Sequence, residues 1–259
     1  MMKWYFKKIS RLSGKQIVVT IETMLVAIPI IIIFLLFPMV KYFDNSLLVF
    51  LLSILGMYLF FFYMSFIFNR YYVVTRIIFL EDIDLQKYID INDALTSKGI
   101  NKFVRREAKE TLKLNKAQVL YLKGDFKKSL EMLETFDTNN FSNKVQAYYD
   151  DIANYYRLVC RLQLKDFNDI DSEIDLLNNN KEKLQACLKL ARGESTSFFD
   201  NWSPKWKLEK ISKWYNLALN HLNQNQPEEA KACFQEIVNE NSELFYVKEA
   251  KKYLEELAW

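Results

Sequence analysis

Glycine and proline are scarce in this chain, at 5 and 4 of 259 residues. Strand-rich folds use both at their turns, and phosphate-cradling loops need glycine where the backbone approaches the ligand. Neither a β-rich or Rossmann-like domain nor a Gly-rich nucleotide loop is therefore expected. Histidine occurs once, as His221. Cys160, Cys187 and Cys233 are far apart and lack C-x-x-C spacing. Zinc sites and Cys–His or Ser–His catalysis lack parts, so no catalytic residue, metal or cofactor is expected, and the chain reads as a non-enzyme. A strong charge imbalance is missing too. Residues 1–70 hold seven Lys/Arg against Glu22 and Asp44, which leaves 28 basic and 30 acidic side chains beyond them, a net of −2. No basic stripe tracks a phosphate backbone, and nucleic-acid binding is not expected.

What is present in excess is apolar length. Ile17–Val40 and Ser46–Phe68 are two apolar runs separated by Lys41-Tyr42-Phe43-Asp44-Asn45. Each exceeds the roughly 20 residues that a helix needs to cross a bilayer core of about 30 Å. The linker is too short for a domain, so a transmembrane hairpin is expected over residues 16–70, with spans at 17–40 and 46–68. The first run is longer than a signal-peptide core, and no small-x-small site follows it. Lys3, Lys7, Lys8, Arg11 and Lys15 precede the first run, and Arg70 and Arg76 follow the second. That bias predicts a multi-pass plasma-membrane protein with both termini in the cytoplasm. There the cysteines stay reduced.

Residues 1–15 alternate apolar Trp4, Tyr5, Ile9 and Leu12 with basic side chains. Such a segment either lies in the headgroup layer or forms a basic tail that only sets topology. Glu22 is the sole acid within the spans, and an intramembrane carboxylate is a functional candidate. It stands a turn or two from the cytoplasmic end, where an interfacial acid reaching water is the simpler reading.

Residues 71–100 read as a juxtamembrane helical connector, and 101–259 as helix after helix. The predicted helices are 82–97, 101–122, 126–136, 143–164, 167–179, 181–192, 205–223, 227–239 and 243–257. In Leu120-Tyr121-Leu122-Lys123-Gly124-Asp125-Phe126, a long helix runs into Gly-Asp-aromatic before the next begins, with the small Ser129 one turn on. Leu164-Lys165-Asp166-Phe167 keeps Asp-aromatic without the glycine. Trp214, Leu217, Ala218, Ala230 and Phe234 supply aromatic, leucine and small positions over a full unit, whose turn is Asn225-Gln226-Pro227. From about Arg105 to Leu257 this pattern resembles the tetratricopeptide repeat (TPR). The resemblance implies an α-solenoid ending in a cap helix at 243–257, Trp214 and Phe234 buried in one helix pair, and protein or peptide binding on a concave face. The spacing from Phe126 to Phe167 exceeds the family's period of about 34 residues.

Three stretches are candidate sites. The acidic run Asp166, Asp169, Asp171, Glu173 and Asp175 lacks the glycine and ligand spacing of a calcium loop, and reads as a solvated face. The basic stretch from Lys102 through Arg105 and Arg106 to Lys116 either binds an acidic partner or is solvated. Around Gly193–Pro204 the helical pattern breaks and places Phe198, Phe199, Trp202 and Trp206 in or beside a loop. There they form either a docking patch or a plug between helix pairs.

The expected architecture is all-α: a two-helix anchor followed by a cytoplasmic TPR-like domain. The expected role is a membrane-anchored scaffold or adaptor that binds a protein or peptide partner. The alternative is an accessory or immunity-type subunit of a membrane complex or transporter, acting through the hairpin. The bilayer is a partner in either case, and a homo-oligomer or larger membrane complex is compatible with both. The abundance of Ile, Lys, Asn and Phe suggests a bacterial source.

Overall fold

A computed structural model describes residues 7–20, 23, 30, 46–97, 102–139 and 141–257. Every regular element among them is helical. Backbone contacts divide the chain into two compact units, Met1–Leu95 and Thr96–Trp259.

In the first unit, Ser13 and Gln16 form a reciprocal cap. The Ser13 N–H donates to Gln16 Oε1 at 2.9 Å, and the Gln16 N–H donates to Ser13 Oγ at 3.3 Å. This pairing satisfies donors that a helix start leaves open, and the chain is helical from residue 14 to 20. Most of the first predicted span, Glu22 included, lies outside the described residues. The second predicted span lies within α1, Ser46–Ile77. At 1.5 Å per residue its 32 residues extend about 48 Å, beyond the predicted end at residue 68. Among the described residues, one helical stretch, Ser53–Asp82, is long and apolar enough to cross a membrane.

The surface of α1 is unusual for a soluble helix. Gly56, Ile67, Val74 and Ile77 are buried, with Phe60 and Tyr63 half-buried. From Gly56 to Ile67 they follow at steps of four, three and four, and Val74 and Ile77 continue the same face seven and ten residues on, which makes one narrow seam. Large apolar side chains elsewhere on the helix, among them Phe50, Leu51, Met57, Phe61 and Phe62, are exposed. A π-helical turn, Ile78–Asp82, ends α1, and Ile83 adopts φ 53°. A β-branched residue in the left-handed region is strained. Burial of Ile83 and a bond from the Asp84 N–H to the Ile78 carbonyl (3.0 Å) hold it there.

Helix α2, Leu85–Ser97, follows. The Phe79 and Tyr88 rings pack with centroids 4.5 Å apart, and Tyr71 Oη donates to Asn92 Oδ1 at 3.2 Å. The Lys87 ammonium donates to the Ser10 carbonyl. A Cβ on Gly14 would stand 3.3 Å from Ile91 Cγ1. The stretch around Ser10 and Gly14 thus packs on α2.

The second unit is a set of helix hairpins, an all-α arrangement compatible with a repeat-like fold. It runs α3 (Lys102–Lys123), α4 (Phe126–Glu134), α5 (Asn143–Gln163), α6 (Ile170–Asp175), α7 (Lys181–Ala191), α8 (Phe198–Asn201), α9 (Lys207–Asn223), α10 (Pro227–Gln235) and α11 (Phe245–Glu256). Four helices end alike. After α3, α5, α7 and α9 the residues Gly124, Lys165, Gly193 and Asn225 take positive φ. At each, the N–H of that residue bonds the carbonyl three residues back, at 3.0–3.1 Å. The next N–H bonds the carbonyl five residues back, at 2.9–3.0 Å. This is the Schellman closure, which satisfies the orphan carbonyls of a helix end.

Small residues let the hairpins close. Ala218 of α9 and Ala230 of α10 are fully buried beside Phe234. In the first hairpin, buried Ser129 donates to the Ala117 carbonyl at 2.8 Å. The aromatic expected from α9 is a different one. Trp214 is 37% exposed, whereas Tyr215 is 5% exposed, its ring 6.2 Å from Phe234 and 5.8 Å from Phe245. The face that carries Ile211 and Ala218 also carries Tyr215, at steps of four and three. Trp214 is turned about 100° away from it.

The cap helix does more than solvate an end. Phe245 packs 5.3 Å from Tyr121 and 5.2 Å from Phe126. Lys248 Nζ donates to the Lys123 carbonyl at 2.9 Å, and Lys123 pairs with Glu243 at 3.3 Å. Helix α11 therefore meets α3, and the second unit closes on itself. Tyr121, Tyr155, Tyr215 and Tyr246 converge with Cys187 and Asn216 on a cavity of about 40 Å³. Burial raises the phenol pKa of Tyr121, Tyr155 and Tyr215 above the ordinary value, so these hydroxyls stay protonated.

Candidate functional site

A concavity lies where α6, α7 and the loop before α8 meet. It is an open cleft of about 390 Å³, lined by Asp171, Gln185, Lys189, Arg192, Thr196 and Phe198 among others. Its floor is helix α7, whose Leu184, Ala186, Leu188 and Leu190 are buried while Glu182, Gln185 and Lys189 face solvent. A short amphipathic helix thus presents a row of polar groups held rigid by the core beneath.

One wall is charged. Arg192 grips Asp171 with both guanidinium nitrogens, at 3.1 and 2.6 Å, and this hydrogen bonding holds the Asp171 carboxyl below its ordinary pKa. Beyond it, Arg161 holds Glu173 at 2.6 Å and Asp166 at 2.9 Å. Asp166, Asp171 and Glu173 of the acidic run are therefore held by two arginines, and Asp175 pairs with Lys181 at 3.0 Å. Among the described residues no three His, Cys, Asp or Glu side chains are grouped to hold a metal ion.

The other wall is the loop before α8, and α9 fixes its shape. Asn220, buried, accepts the Thr196 N–H at 2.8 Å. Asn223 Nδ2 donates to the carbonyls of Leu190 (3.1 Å) and Glu194 (2.9 Å). Lys213 Nζ donates to the Trp202 carbonyl at 2.7 Å. Carbonyls of the loop and of the helix end before it thus find side-chain donors, and a segment without regular structure stays ordered.

The aromatic residues singled out in the sequence divide. Phe199 is fully buried and fills space in the core, as a plug does. Phe198 is half-buried and lines the cleft. Trp202 stacks against Phe198 with centroids 6.3 Å apart and carries the Lys183 ammonium 4.4 Å over its ring. Trp206 is half-buried at the start of α9, where Glu209 Oε2 accepts the N–H groups of Lys205 (2.9 Å) and Trp206 (3.2 Å). Arg105 and Arg106 fall on α3, and Arg106, exposed there, does not line the cleft. Farther along α3, Lys113 bonds Glu110 and the Thr135 carbonyl, so it serves the fold.

The cleft residues on α7 were not marked by the sequence, because a charged helix face over a shallow pocket has the composition of any solvated face. The thiols are not poised for chemistry. Burial pushes Cys160 and Cys187 up to about 11, and the Cys160 S–H points at Ser129 Oγ, 3.3 Å away. No known protein family matches the chain, and no curated protein or solved structure matches it.

Proposed function

We propose that this chain is a membrane-anchored protein-binding scaffold. Its two spans, 17–40 and 46–68, hold a TPR-like domain at the cytoplasmic face, and the cleft beside Phe198 receives a segment of a partner protein. The observation that carries the binding reading is the cleft itself. It offers an aromatic wall, a lysine and an arginine–carboxylate pair on a rigid helix, a combination suited to a peptide with both apolar and charged side chains. The inner face, filled by tyrosines, leaves the outer cleft as the place to dock. Anchoring is supported by the exposed apolar side chains of α1, which need lipid or protein cover. The exposed Lys7, Lys8, Arg11 and Lys15 support the orientation. Confinement to the membrane would raise the partner's effective concentration.

The test is a photoreactive side chain placed at Phe198 of the full-length protein in its native membranes, with exposed Lys251 as the control position. A discrete cross-linked species from position 198, absent from position 251 and weakened by Lys189→Glu, is the expected result. Equal cross-linking from both positions would sink the docking assignment.

A further inference from the structure

Helix α1 carries a second seam that the fold leaves uncovered. Tyr58, Phe62, Ser65, Asn69 and Tyr72 are all exposed, and they follow one another at steps of four, three, four and three. That is the 3.5-residue spacing of a helix packed along another helix. It lies opposite the buried seam: Gly56 and Ser65, Ile67 and Tyr58, and Tyr63 and Tyr72 are each nine residues apart, about two and a half turns. One side of α1 is thus occupied within its own unit, and the diametrically opposite side repeats the same geometry toward the outside.

The chemistry of this stripe does not suit lipid. Ser65 lies within the apolar run and Asn69 directly follows it, on a stripe whose other members, Tyr58, Phe62 and Tyr72, are aromatic. A hydroxyl within a membrane helix gains by bonding across to a neighbouring helix, since lipid offers it no partner, and a carboxamide at the edge of the run can bond across in the same way. The spacing also persists past the apolar run to Tyr72, so the neighbour follows α1 from lipid into water as a helix would.

We infer that the stripe Tyr58–Tyr72 is a self-association surface and that its occupant is α1 of a second copy of this chain, parallel and in register. Two considerations select a second copy. Copies inserted with the same topology bring Ser65 to Ser65 and Asn69 to Asn69 at equal depth. A carboxamide carries both a donor and an acceptor, so two asparagines across a two-fold axis complete each other. An asparagine at one such position also fixes register and copy number, because any slip leaves it without its match. The assembly would place two clefts on one membrane-bound dimer.

This inference rests on the anchoring proposed above, and one experiment separates the two. Full-length chains bearing Tyr58→Cys, Phe62→Cys or Ser65→Cys are oxidised in native membranes. Met57→Cys and Leu59→Cys, exposed at similar depth but off the stripe on either side, are the controls, and the unsubstituted chain gives the background of the native cysteines. Disulfide-linked homodimers several-fold more abundant for the stripe positions are expected. Adding Asn69→Val to Ser65→Cys should lower the yield roughly threefold, the equivalent of the ~0.6 kcal/mol typical of a hydrogen bond between membrane helices. Asn69→Gln, which keeps donor and acceptor, should lower it less. Equal yields around the helix, adducts with a different protein, or no dimers from a chain that alkaline carbonate leaves in the membrane would each overturn the inference while anchoring stands. Release of the chain by carbonate would overturn the anchoring and this inference together.

Discussion

Phe234 lies face to face with Tyr253, ring centroids 4.9 Å apart, with Tyr215 at its edge. Three helices meet on that one side chain, so its truncation cannot be healed by a local shift. Phe234→Ala should destabilise the protein by about 3–5 kcal/mol, as truncation of large buried aromatics does. Ala230→Leu should cost about 1–3 kcal/mol by overpacking the crossing with α9. Trp214→Ala, at a side chain 37% exposed, should cost less than Phe234→Ala, whose ring is fully buried. Thermal unfolding of the detergent-solubilised full chain measures all three. The ordering fails if Trp214→Ala proves as damaging as Phe234→Ala. A sequence reading favours Trp214 because tryptophan at a repeat's aromatic position is the stronger compositional signal. The structure uses Tyr215 because the side chain that faces α10 is set by the phase of the helix.

Among the elements, the four Schellman closures show how one geometry can be written in different letters. Gly124 and Gly193 adopt left-handed φ without steric penalty, whereas Lys165 and Asn225 do so against it. Lys165→Gly should therefore stabilise the second unit by up to about 1 kcal/mol. Gly124→Ala should destabilise it by more, because φ is +89° and the new Cβ would stand 3.2 Å from Phe245 Cβ. Chemical denaturation of the full chain and its variants distinguishes the signs. If both substitutions moved stability the same way, the left-handed position would not be the controlling factor. The same comparison shows what could be read from sequence. Helix-to-helix breaks at Asn, Asp and Gly residues were legible because turn chemistry is local, and the observed ends fall close to the expected ones. The short α8 was not legible, since its four residues carry no periodicity. Nor was the cleft, which depends on α6, α7 and the loop before α8 coming together. The ring closure was invisible for a related reason: Tyr121 and Tyr246 are separated by 125 residues, and their hydroxyls lie 3.4 Å apart.

At the scale of the whole molecule, the proposed topology makes a sharp expectation. Asp44→Cys in intact cells should react with a membrane-impermeant thiol reagent, while an added cysteine at exposed Lys251 should react only after the membrane is opened. Protection of position 44 together with labelling of position 251 would reverse the orientation.

The return of α11 to α3 has a further consequence, for how such a chain can change over generations. An open superhelix tolerates gain or loss of a hairpin, because each unit touches only its neighbours. Here Phe245 of the last helix packs on Tyr121 and Phe126 of the first hairpin, and a Cβ on the glycine after α3 would stand 3.2 Å from Phe245 Cβ. One hairpin more would hold that junction open, and one fewer would make its two sides collide. The helix count in this domain is therefore locked, and diversification is confined to what the outer faces display: the residues of the cleft, the loop that walls it, and the surface charges around them.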